Sequence, residues 1–527
     1  MSRTITSHYP LSLEAIPSSW KSTTVGDAMR DIQPGFASGI HNQEGLGIPH
    51  LRPMNVDREG KLDLSVVKYV SPDNALRIRA GDVLFNNTNS AELIGKTAYI
   101  GIDADLAFSN HMTRLRPGKG IDHRFVAYQL HFLWMTGYFM HRCTHHVNQA
   151  SISSQTLGET VPLVVPPGLT QVRIVEEIEK QFTRLDAAVA ALKRVKANLK
   201  RYRAAVLKAA CEGCLVPTEA ELARREGRPY EPASVLLERI LAERRSLWEA
   251  SELSKFEISG KAPKDVRWKE KHKLPCAPAS GHGLVVPEGW AVGSLEQLTS
   301  AVRVICYGIL MPKEDIPDGV PYVRVLDLKG DRIDIENLKR TSSAIARAYA
   351  RASLKGGDVL LAIRGSYGRV AEVPFELEGG NITQDTARLE VSQFVDHRYI
   401  ATCLRSPVAQ NYFKRVARGV AVKGVNIADV RLCPIPVPPY PEQSRIAVEV
   451  ERRLSIIDEL GTQTDADLRR AARLRQSILK RAFEGQLVPQ NLNDEPASVL
   501  LERVRTEREA KSGSVKSKKQ AREAGVR

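Results

Sequence analysis

The sequence contains no apolar run as long as the roughly 18 to 20 residues that a membrane-spanning helix needs. Its first residues, MSRTITSHYPLSLEAIPSSW, also lack the continuous apolar segment and the small-residue cleavage site of a secretory signal. Hydrophobic residues make up 43% of the chain and charged residues 26%, as in an ordinary soluble protein. We therefore expect a cytoplasmic protein with no membrane partner, and 527 residues predict several domains.

Signatures of nucleotide chemistry are also missing. The chain has no GxxxxGK[ST] loop for ATP phosphates and no glycine-rich loop for a methyl donor. Pro438, Pro439 and Tyr440 resemble the end of the (D/N)PPY loop of amino-methyltransferases, but Val437 stands where that loop has a polar residue. We interpret the proline pair as a helix start and expect no catalytic site and no cofactor.

Acidic residues are too few to balance the basic ones. Lys and Arg number 76 against 61 Asp and Glu, so the net charge is +15. A surplus of this size favours a polyanion, nucleic acid above all, because binding releases condensed counterions. A basic C-terminal tail, KSGSVKSKKQAREAGVR, is an alternative source of part of the surplus. Charge by itself leaves both explanations open.

The sequence contains an internal duplication. EPASVLLERI (231–240) returns as EPASVLLERV (495–504), and PLVVPPGLTQVRIVEEIEK from Pro162 aligns with PIPVPPYPEQSRIAVEVER 272 positions later. GDVLF at Gly81 and GDVLL at Gly357 extend the similarity upstream, so one unit spans about 270 residues. The first copy inserts eight residues within TEAELARREGRPY, which we interpret as a surface loop.

Each copy predicts one long amphipathic helix with a coiled-coil seam, because apolar residues recur every three or four positions. A VPP triplet precedes each helix, and EGCLVP or EGQLVP ends it. Gly461 and Thr464 weaken the seam of the second copy, so we expect a bend or poorer packing there. The seam positions are Val175, Ile178, Phe182, Leu185, Val189, Leu192, Val195, Leu199, Tyr202, Val206 and Ala209, then Ala447, Val450, Leu454, Ile457, Leu468, Ala471, Leu474 and Ile478.

The parts before these helices consist of short β-branched runs, each with one helix near Phe125–Phe139 or Tyr399–Val416, which predicts α+β domains. The expected fold is thus two globular α+β domains separated by two long antiparallel coiled-coil helices, as a pseudo-twofold tandem repeat. The predicted boundaries are 1–165 and 286–438 for the domains, 166–250 and 439–510 for the helical regions, 251–285 for a flexible basic linker and 511–527 for a disordered tail.

Antiparallel pairing of the helices would place the two variable domains at opposite ends of a rod. Duplex DNA has a matching twofold relation between its strands, so two reading domains would meet two half-sites. Divergence between the domains would make those half-sites different.

This order of variable domain, VPP-led helix, EGxLVP and EPASxLLER, given twice, resembles the specificity subunit of type I restriction-modification enzymes. The resemblance covers nearly the whole chain outside the linker and tails. It implies a non-catalytic subunit with two target-recognition domains that bind a split, asymmetric site in double-stranded DNA. It also implies docking of two modification subunits and of restriction subunits, which carry adenine methylation and ATP-driven cleavage.

Two clusters have metal-like residue types. Cys211 and Cys214 form a CxxC pair, but the second copy has Phe483 and Gln486 there, which favours ordinary cysteines over a metal or redox site. The segment HRCTHH holds His141, Cys143, His145 and His146. Its counterparts are Arg415, Ala417, Gly419 and Val420, so we expect no metal and consider these histidines as phosphate neighbours. The seven cysteines (Cys143, Cys211, Cys214, Cys276, Cys306, Cys403 and Cys433) are interpreted as reduced thiols.

DNA-reading candidates lie in matched loops that carry hydrogen-bonding side chains. Arg and Lys bond guanine edges, Asn bonds adenine, and Ser suits phosphates. The alternative for each loop is a solvated turn with a structural glycine. The candidates are His50, Arg52, Asn87, Asn89, Ser90 and Lys96 in the first domain, and Tyr322, Arg324, Arg364, Ser366, Tyr367 and Arg369 in the second.

Overall fold

The computed structural model describes residues 9–72, 76–147, 149–260, 263, 265–281 and 283–524, with side chains described up to residue 510. The chain forms two compact units. Unit 1 consists of Met1–Lys193 and Asp465–Arg527, and unit 2 of Arg194–Thr464. Within the described part of the chain, no helix has the length and apolar character that a membrane crossing requires.

The first α+β domain holds short strands and three helices. Its elements are β1 (Lys21–Thr24), α1 (Val25–Ala28), β2 (Met29–Pro34), β3 (Ile48–Leu51), β4 (Lys68–Val70), β5 (Val83–Asn86), β6 (Thr88–Asn89), β7 (Thr97–Tyr99), β8 (Ala107–Phe108), β9 (Met112–Pro117), α2 (His123–Met135), β10 (Thr144–His145), β11 (Ala150–Ser151), α3 (Ser154–Thr160) and β12 (Pro162–Val165). Three helices follow: α4 (Gly168–Cys211), α5 (Glu219–Glu226) and α6 (Ala233–Ile258).

The second α+β domain has a similar set of elements and precedes the last two helices. Its elements are β13 (Ala291–Ser294), β14 (Cys306–Tyr307), β15 (Val320–Val323), β16 (Leu328–Lys329), β17 (Arg332–Ile333), β18 (Lys339–Thr341), α7 (Ser343–Ala348), β19 (Val359–Ala362), β20 (Val370–Glu372), β21 (Asn381–Ile382), β22 (Thr386–Leu389), α8 (His397–Arg405), α9 (Pro407–Val416), α10 (Ile427–Arg431) and β23 (Pro434–Val437). The last helices are α11 (Tyr440–Phe483) and α12 (Ala497–Ala524).

Both α+β domains share one sheet topology, which confirms the repeat at the level of the fold. A four-stranded sheet has the order β2-β9-β5-β7 in the first domain and β14-β22-β19-β20 in the second. A three-stranded sheet follows the order β4-β3-β8 or β18-β15-β21, and each contains one antiparallel and one parallel pairing. The GDVL strands, β5 and β19, are fully buried, which explains their continuous apolar sequence.

The predicted limits of the long helices are confirmed. α4 and α11 begin within two residues of their proline pairs, where a missing N–H costs nothing. Each ends before a glycine with positive φ, +70° at Gly213 and +74° at Gly485, a conformation that strains other residues. α11 is unbroken at Gly461, and the Thr464 hydroxyl donates to the carbonyl of Leu460 at 2.7 Å.

The two long helices run antiparallel within each unit. In unit 1, Arg173 near the start of α4 bonds Asp494, just beyond the end of α11, while Asp186 further along α4 bonds Arg475. In unit 2, Arg203 Nη1 bonds Asp458 Oδ1 at 2.6 Å. Glu219, just beyond the end of α4, bonds Arg445 near the start of α11 at 2.7 Å. Seam positions near the start of α4 are buried, but Val195 and Tyr202 of α4 and Leu474 of α11 are 44%, 48% and 49% exposed.

The core of each unit joins distant parts of the chain. In unit 1, Phe125 and Phe132 of α2 pack on Phe483 of α11, with ring centroids 5.4 and 5.6 Å apart. In unit 2, the core around Tyr399 and Cys403 of α8 includes residues of α4, α6 and α11.

Three local expectations differ from the structure. The insertion after α4 is not a bare loop: it forms α5, because Thr218 and Glu221 make a capping box. The second domain's helix is two helices, α8 and α9, because Pro407 follows Ser406 and has no N–H to continue the ladder. Residues 251–258 belong to α6 rather than to a linker.

The rest of the linker packs back on α6 at several points. Trp248 of α6 stacks on Trp268 at 6.0 Å, and Glu249 pairs with Lys269 at 2.8 Å. Cys276 then donates its N–H to Glu296 of the second α+β domain at 2.9 Å. At the other terminus, helix α12 continues through residue 524 instead of ending at the predicted tail. Lys is the commonest residue from 511 on, and it favours helices.

Candidate nucleic-acid interface

Two predicted arginines follow equivalent strands. Arg52 follows β3 and Arg324 follows β15, and each precedes a short 3-10 turn. Arg324 donates to Asp327 twice, Nε to Oδ2 at 2.9 Å and Nη2 to Oδ1 at 2.7 Å, which raises the pKa of Arg324. Arg52 Nη2 lies 2.6 Å from His41 Nε2. The repeat alignment therefore placed these two residues correctly, and both bond within their own domain.

The strand residues before these arginines are buried. His50 is 1% and Tyr322 is 2% exposed. Burial, then the positive neighbours His41 and Arg52, lower the pKa of His50 to about 4, so the ring is neutral near pH 7. Burial raises the pKa of Tyr322. Both side chains support the strands from inside.

Asn87 and Lys96 brace the loop after β5 from within the domain. Asn87 Nδ2 donates to Thr113 Oγ1 at 2.9 Å. Lys96 Nζ donates to the carbonyls of Pro53, at 3.2 Å, and Val56, and burial lowers the pKa of the ammonium group. Both residues are 6% exposed, so in this conformation their polar atoms are used by the fold.

The remaining candidates lie at the surface. Ser90, Arg364, Ser366 and Arg369 are exposed, whereas Asn89 and Tyr367 are partly buried. Arg369 Nη1 also donates to the carbonyl of Leu328 at 3.2 Å. Contact with DNA remains a prediction for all twelve residues. In this conformation only the exposed side chains are free to reach a ligand from solvent.

A hairpin that the sequence analysis did not single out lies beside these loops in unit 2. After α9 the chain turns back between Arg418 and Gly424, whose backbone groups exchange hydrogen bonds of 2.8 Å. Gly424 also forms a bridge with Arg364, and Val425 N–H donates to the carbonyl of Ile363 at 2.7 Å. Loop and hairpin therefore make one narrow ribbon, which we call the unit 2 ribbon (363–366 and 417–425).

Unit 1 has an equivalent ribbon. β6, the loop after the GDVL strand, pairs with β11, and β11 pairs with β10. The hairpin tip between β10 and β11 is closed by His146 N–H donating to the carbonyl of Gln149 at 2.7 Å. We call this the unit 1 ribbon (88–90 and 144–151). Candidate residues Asn89 and Ser90 belong to it, as Arg364 and Ser366 belong to the other.

The segments that form both hairpins contain no acidic residue. Residues 123–158 and 397–428 lack Asp and Glu altogether, although these residues are frequent elsewhere. The second segment carries six cations, namely Arg398, Arg405, Lys414, Arg415, Arg418 and Lys423. Long acid-free stretches at equivalent places in two copies were visible in the sequence, and they are the signal by which the hairpins could have been found. Their charge suits a polyanion.

One buried glutamine near the start of each long helix bonds that helix to the preceding α+β domain. Gln171, the fourth residue of α4, accepts from the N–H of Asp122 at 2.8 Å, and Gln443 of α11 accepts from that of Asp396 at 3.0 Å. Both glutamines are 0% exposed. Because Asp122 and Asp396 cap α2 and α8, the helices that lead to the hairpins are held against the long helices.

The two cysteine-containing clusters show ordinary contacts. Cys143 Sγ lies 3.7 Å from His145 Nε2, while His146 Nε2 lies 3.1 Å from the Ser151 hydroxyl instead. Cys211 is buried against Cys403, whereas Cys214 is exposed.

The chain is similar to known proteins in sequence. Residues 287–465 match the family described as type I restriction modification DNA specificity domain. The type I restriction enzyme EcoBI specificity subunit of Escherichia coli is 28% identical over 385 residues, which cover 71% of this chain and 70% of that protein. The EcoKI specificity subunit of Escherichia coli strain K12 is 22% identical over 97% of this chain and 100% of its own length.

The fold is shared with a solved structure as well. A chain from a study of complex assembly and conformational transition of the type I R-M system superposes with a TM-score of 0.60 at 15% identity, over 89% of this chain and 99% of that one. Together with the duplicated architecture, the sequence matches make the chain similar, over nearly its whole length, to the specificity subunits of type I restriction-modification enzymes.

Proposed function

We propose that this chain is the non-catalytic DNA-specificity subunit of a type I restriction-modification system in the cytoplasm. Each recognition domain binds one half of a split, asymmetric site in double-stranded DNA. The observation that supports this proposal is the ribbon that recurs in both units. It lies next to the loops that hold Ser90 and Arg364, and its hairpins lie within segments free of acidic residues. Cations and amide side chains on such a ribbon are suited to phosphates and base edges.

The two ribbons differ in chemistry, which supports unlike half-sites. The unit 1 ribbon carries Asn89, His145 and His146, and the unit 2 ribbon carries Arg364, Arg418 and Lys423. Arginine bonds guanine edges best, whereas asparagine bonds adenine. Two domains with one topology and different surface residues therefore read different sequences.

The same proposal covers the protein partners. Relatives of this chain are named as subunits of type I restriction enzymes, and the paired helices α4 and α11 are the part that the two copies share most closely. We infer that these helices dock two modification subunits, which methylate adenine, and that restriction subunits complete the nuclease. The chain itself supplies recognition and scaffolding.

Selection from a randomised duplex pool tests the proposal. The full-length chain, alone and assembled with its modification subunit, is expected to enrich one split motif and to shift that duplex in a gel against random competitor. A chain that joins the modification subunit but enriches no motif would be a coiled-coil adaptor. Methylation of DNA by the purified chain alone would instead mark a self-contained methyltransferase.

A further inference from the structure

The tip of each ribbon hairpin carries a fully exposed valine. In unit 2 the tip runs Gly419-Val420-Ala421-Val422, and Val420 has no side-chain burial at all. In unit 1 Val147 stands at the tip and is 100% exposed. Single exposed apolar residues are common on surfaces. A valine at the tip of the same hairpin in both copies is a repeated feature. It indicates that a binding partner covers the side chain.

The unit 2 tip has a defined shape. Gly419 has φ of +114°, and a Cβ there would lie 2.3 Å from the carbonyl oxygen of Val422, so no other residue fits without moving the turn. On its other side the hairpin is bonded to the loop after β19 through Gly365 N–H and the Lys423 carbonyl at 3.0 Å. The valine is therefore presented on a braced turn.

Cations surround this apolar tip. Arg364, Arg418 and Lys423 are exposed on the ribbon, and Lys414 and Arg415 end the preceding helix. Arg418 Nη2 lies 3.9 Å from the Asp429 carboxylate oxygen Oδ2. An apolar protein partner would face an uncompensated positive rim here, whereas a polyanion with an apolar interior matches both parts. Duplex DNA has phosphates on the outside and apolar base and sugar surfaces in its grooves.

Resting on the function proposed above, we propose that the ribbon hairpins are apolar wedges that enter a groove of the duplex. Val420 in the second half-site and Val147 in the first contact base edges or deoxyribose, while the flanking basic residues bind phosphates. The wedge supplies affinity that does not depend on counterion release, because burying a valine side chain releases no ions.

The test uses Val420→Ser in the full-length chain, measured on the duplex that selection enriches. We expect binding about tenfold weaker, as for loss of one buried apolar side chain. The slope of affinity against salt should stay at the wild-type value. Val266→Ser, another exposed valine outside the ribbons, is the matched control and should bind as wild type. Thermal unfolding should be unchanged in both, since neither side chain is buried.

Two further variants sharpen the result. Gly419→Ala distorts the tip without removing a charge and should weaken binding in the same way as Val420→Ser. Val420→Cys should cross-link by thiol–disulfide exchange to a mixed disulfide tethered to a base of the second half-site, releasing the small thiol of that disulfide, whereas Val266→Cys and wild type should not.

The outcomes separate this inference from the proposed function. A wild-type chain that enriches no duplex rejects both. A wild-type chain that binds its duplex while Val420→Ser binds equally well rejects the wedge alone. Weaker assembly of Val420→Ser with the modification subunit, with DNA affinity of the assembled complex unchanged, would also reject it and assign the tip to a protein contact.

Discussion

Glu442 is a buried carboxyl at the start of α11 in unit 2. Its oxygens accept from the N–H of Glu219 at 2.8 Å and from Trp290 Nε1 at 3.0 Å. Burial nevertheless raises the pKa of Glu442 from 4.5 to about 7. The folded chain thus holds this proton more tightly than the unfolded chain. The resulting contribution to stability is complete below the unfolded pKa and is lost as pH rises through about 7.

Glu442→Gln is therefore expected to flatten the dependence of stability on pH. The wild-type melting temperature should fall between about pH 5 and about pH 8 by more than that of the variant, because the variant has no proton to lose. Glu449→Gln on the same helix is the control. Two arginines hold the pKa of Glu449 at about 2, outside this range, so its variant should keep the wild-type profile. Parallel profiles for wild type and Glu442→Gln would contradict the assignment.

Lys96 and Arg364 were predicted for the same role, but the structure places them differently. Lys96→Met should lower the free energy of unfolding by about 1 to 3 kcal/mol, because two buried carbonyls lose their donor. Arg364→Ala should leave stability within about 0.5 kcal/mol and reduce the salt slope of DNA binding by about one. Denaturant unfolding and salt titration of binding measure the two effects. If the two variants behaved alike in both assays, the contrast in burial would have no consequence.

At the scale of elements, the long helices are joined by ion pairs of unequal burial. In unit 1, Arg475 is 9% exposed, pairs with Asp186 and lies over the Phe182 ring, 4.3 Å from its centroid. In unit 2, Asp458 is 60% exposed, and Arg203 has a second partner in Asp331 at 2.6 Å. Removing a partner costs more when the remaining charge is buried.

Asp186→Ala should therefore destabilise unit 1 by about 1 to 3 kcal/mol, since Arg475 keeps no acidic partner. Asp458→Ala is the matched variant in unit 2 and should cost less than about 1 kcal/mol, as exposed ion pairs do. Urea unfolding of both variants decides this. Equal losses would show that burial of the pair does not govern its strength.

At the scale of the whole molecule, unit 1 combines two distant segments of the chain, whereas unit 2 is the single segment Arg194–Thr464. Unit 1 needs Phe483, Leu500 and Val504 from the far end of the sequence to complete its core. Unit 2 likewise needs Val206 and Leu236 from before the linker. A chain cut after residue 260 should thus give two fragments that do not fold separately, because each lacks apolar partners that the other holds.

Coexpression of fragments 1–260 and 261–527 checks this expectation. With a tag on one fragment only, both should co-purify and show one cooperative thermal transition. Fragment 1–260 alone should bind a hydrophobic dye and unfold without cooperativity. A native-like transition for that fragment by itself would mean that the far-end residues are dispensable.

The sequence by itself determined the duplication, the ends of both long helices and the resemblance to type I specificity subunits. These depend on local rules, namely proline at a helix start, glycine with positive φ beyond its end, and a seam repeating every three or four residues. Arg52 and Arg324 were paired correctly for the same reason, since alignment of the copies needs no knowledge of contacts. The insertion that forms α5 contains a T-x-x-E capping signature. This helix could therefore have been predicted from local sequence.

Only the tertiary structure decided which loop side chains remain at the surface. Asn87 and Lys96 look like readers in the sequence, yet residues more than 20 positions away along the chain, Thr113 and Pro53, take up their polar atoms. The hairpin beside Arg364 likewise depends on a pairing with Gly424, 60 residues later. Local pattern determines the elements, whereas burial and pairing arise from contacts distant in sequence, which no single window of residues records.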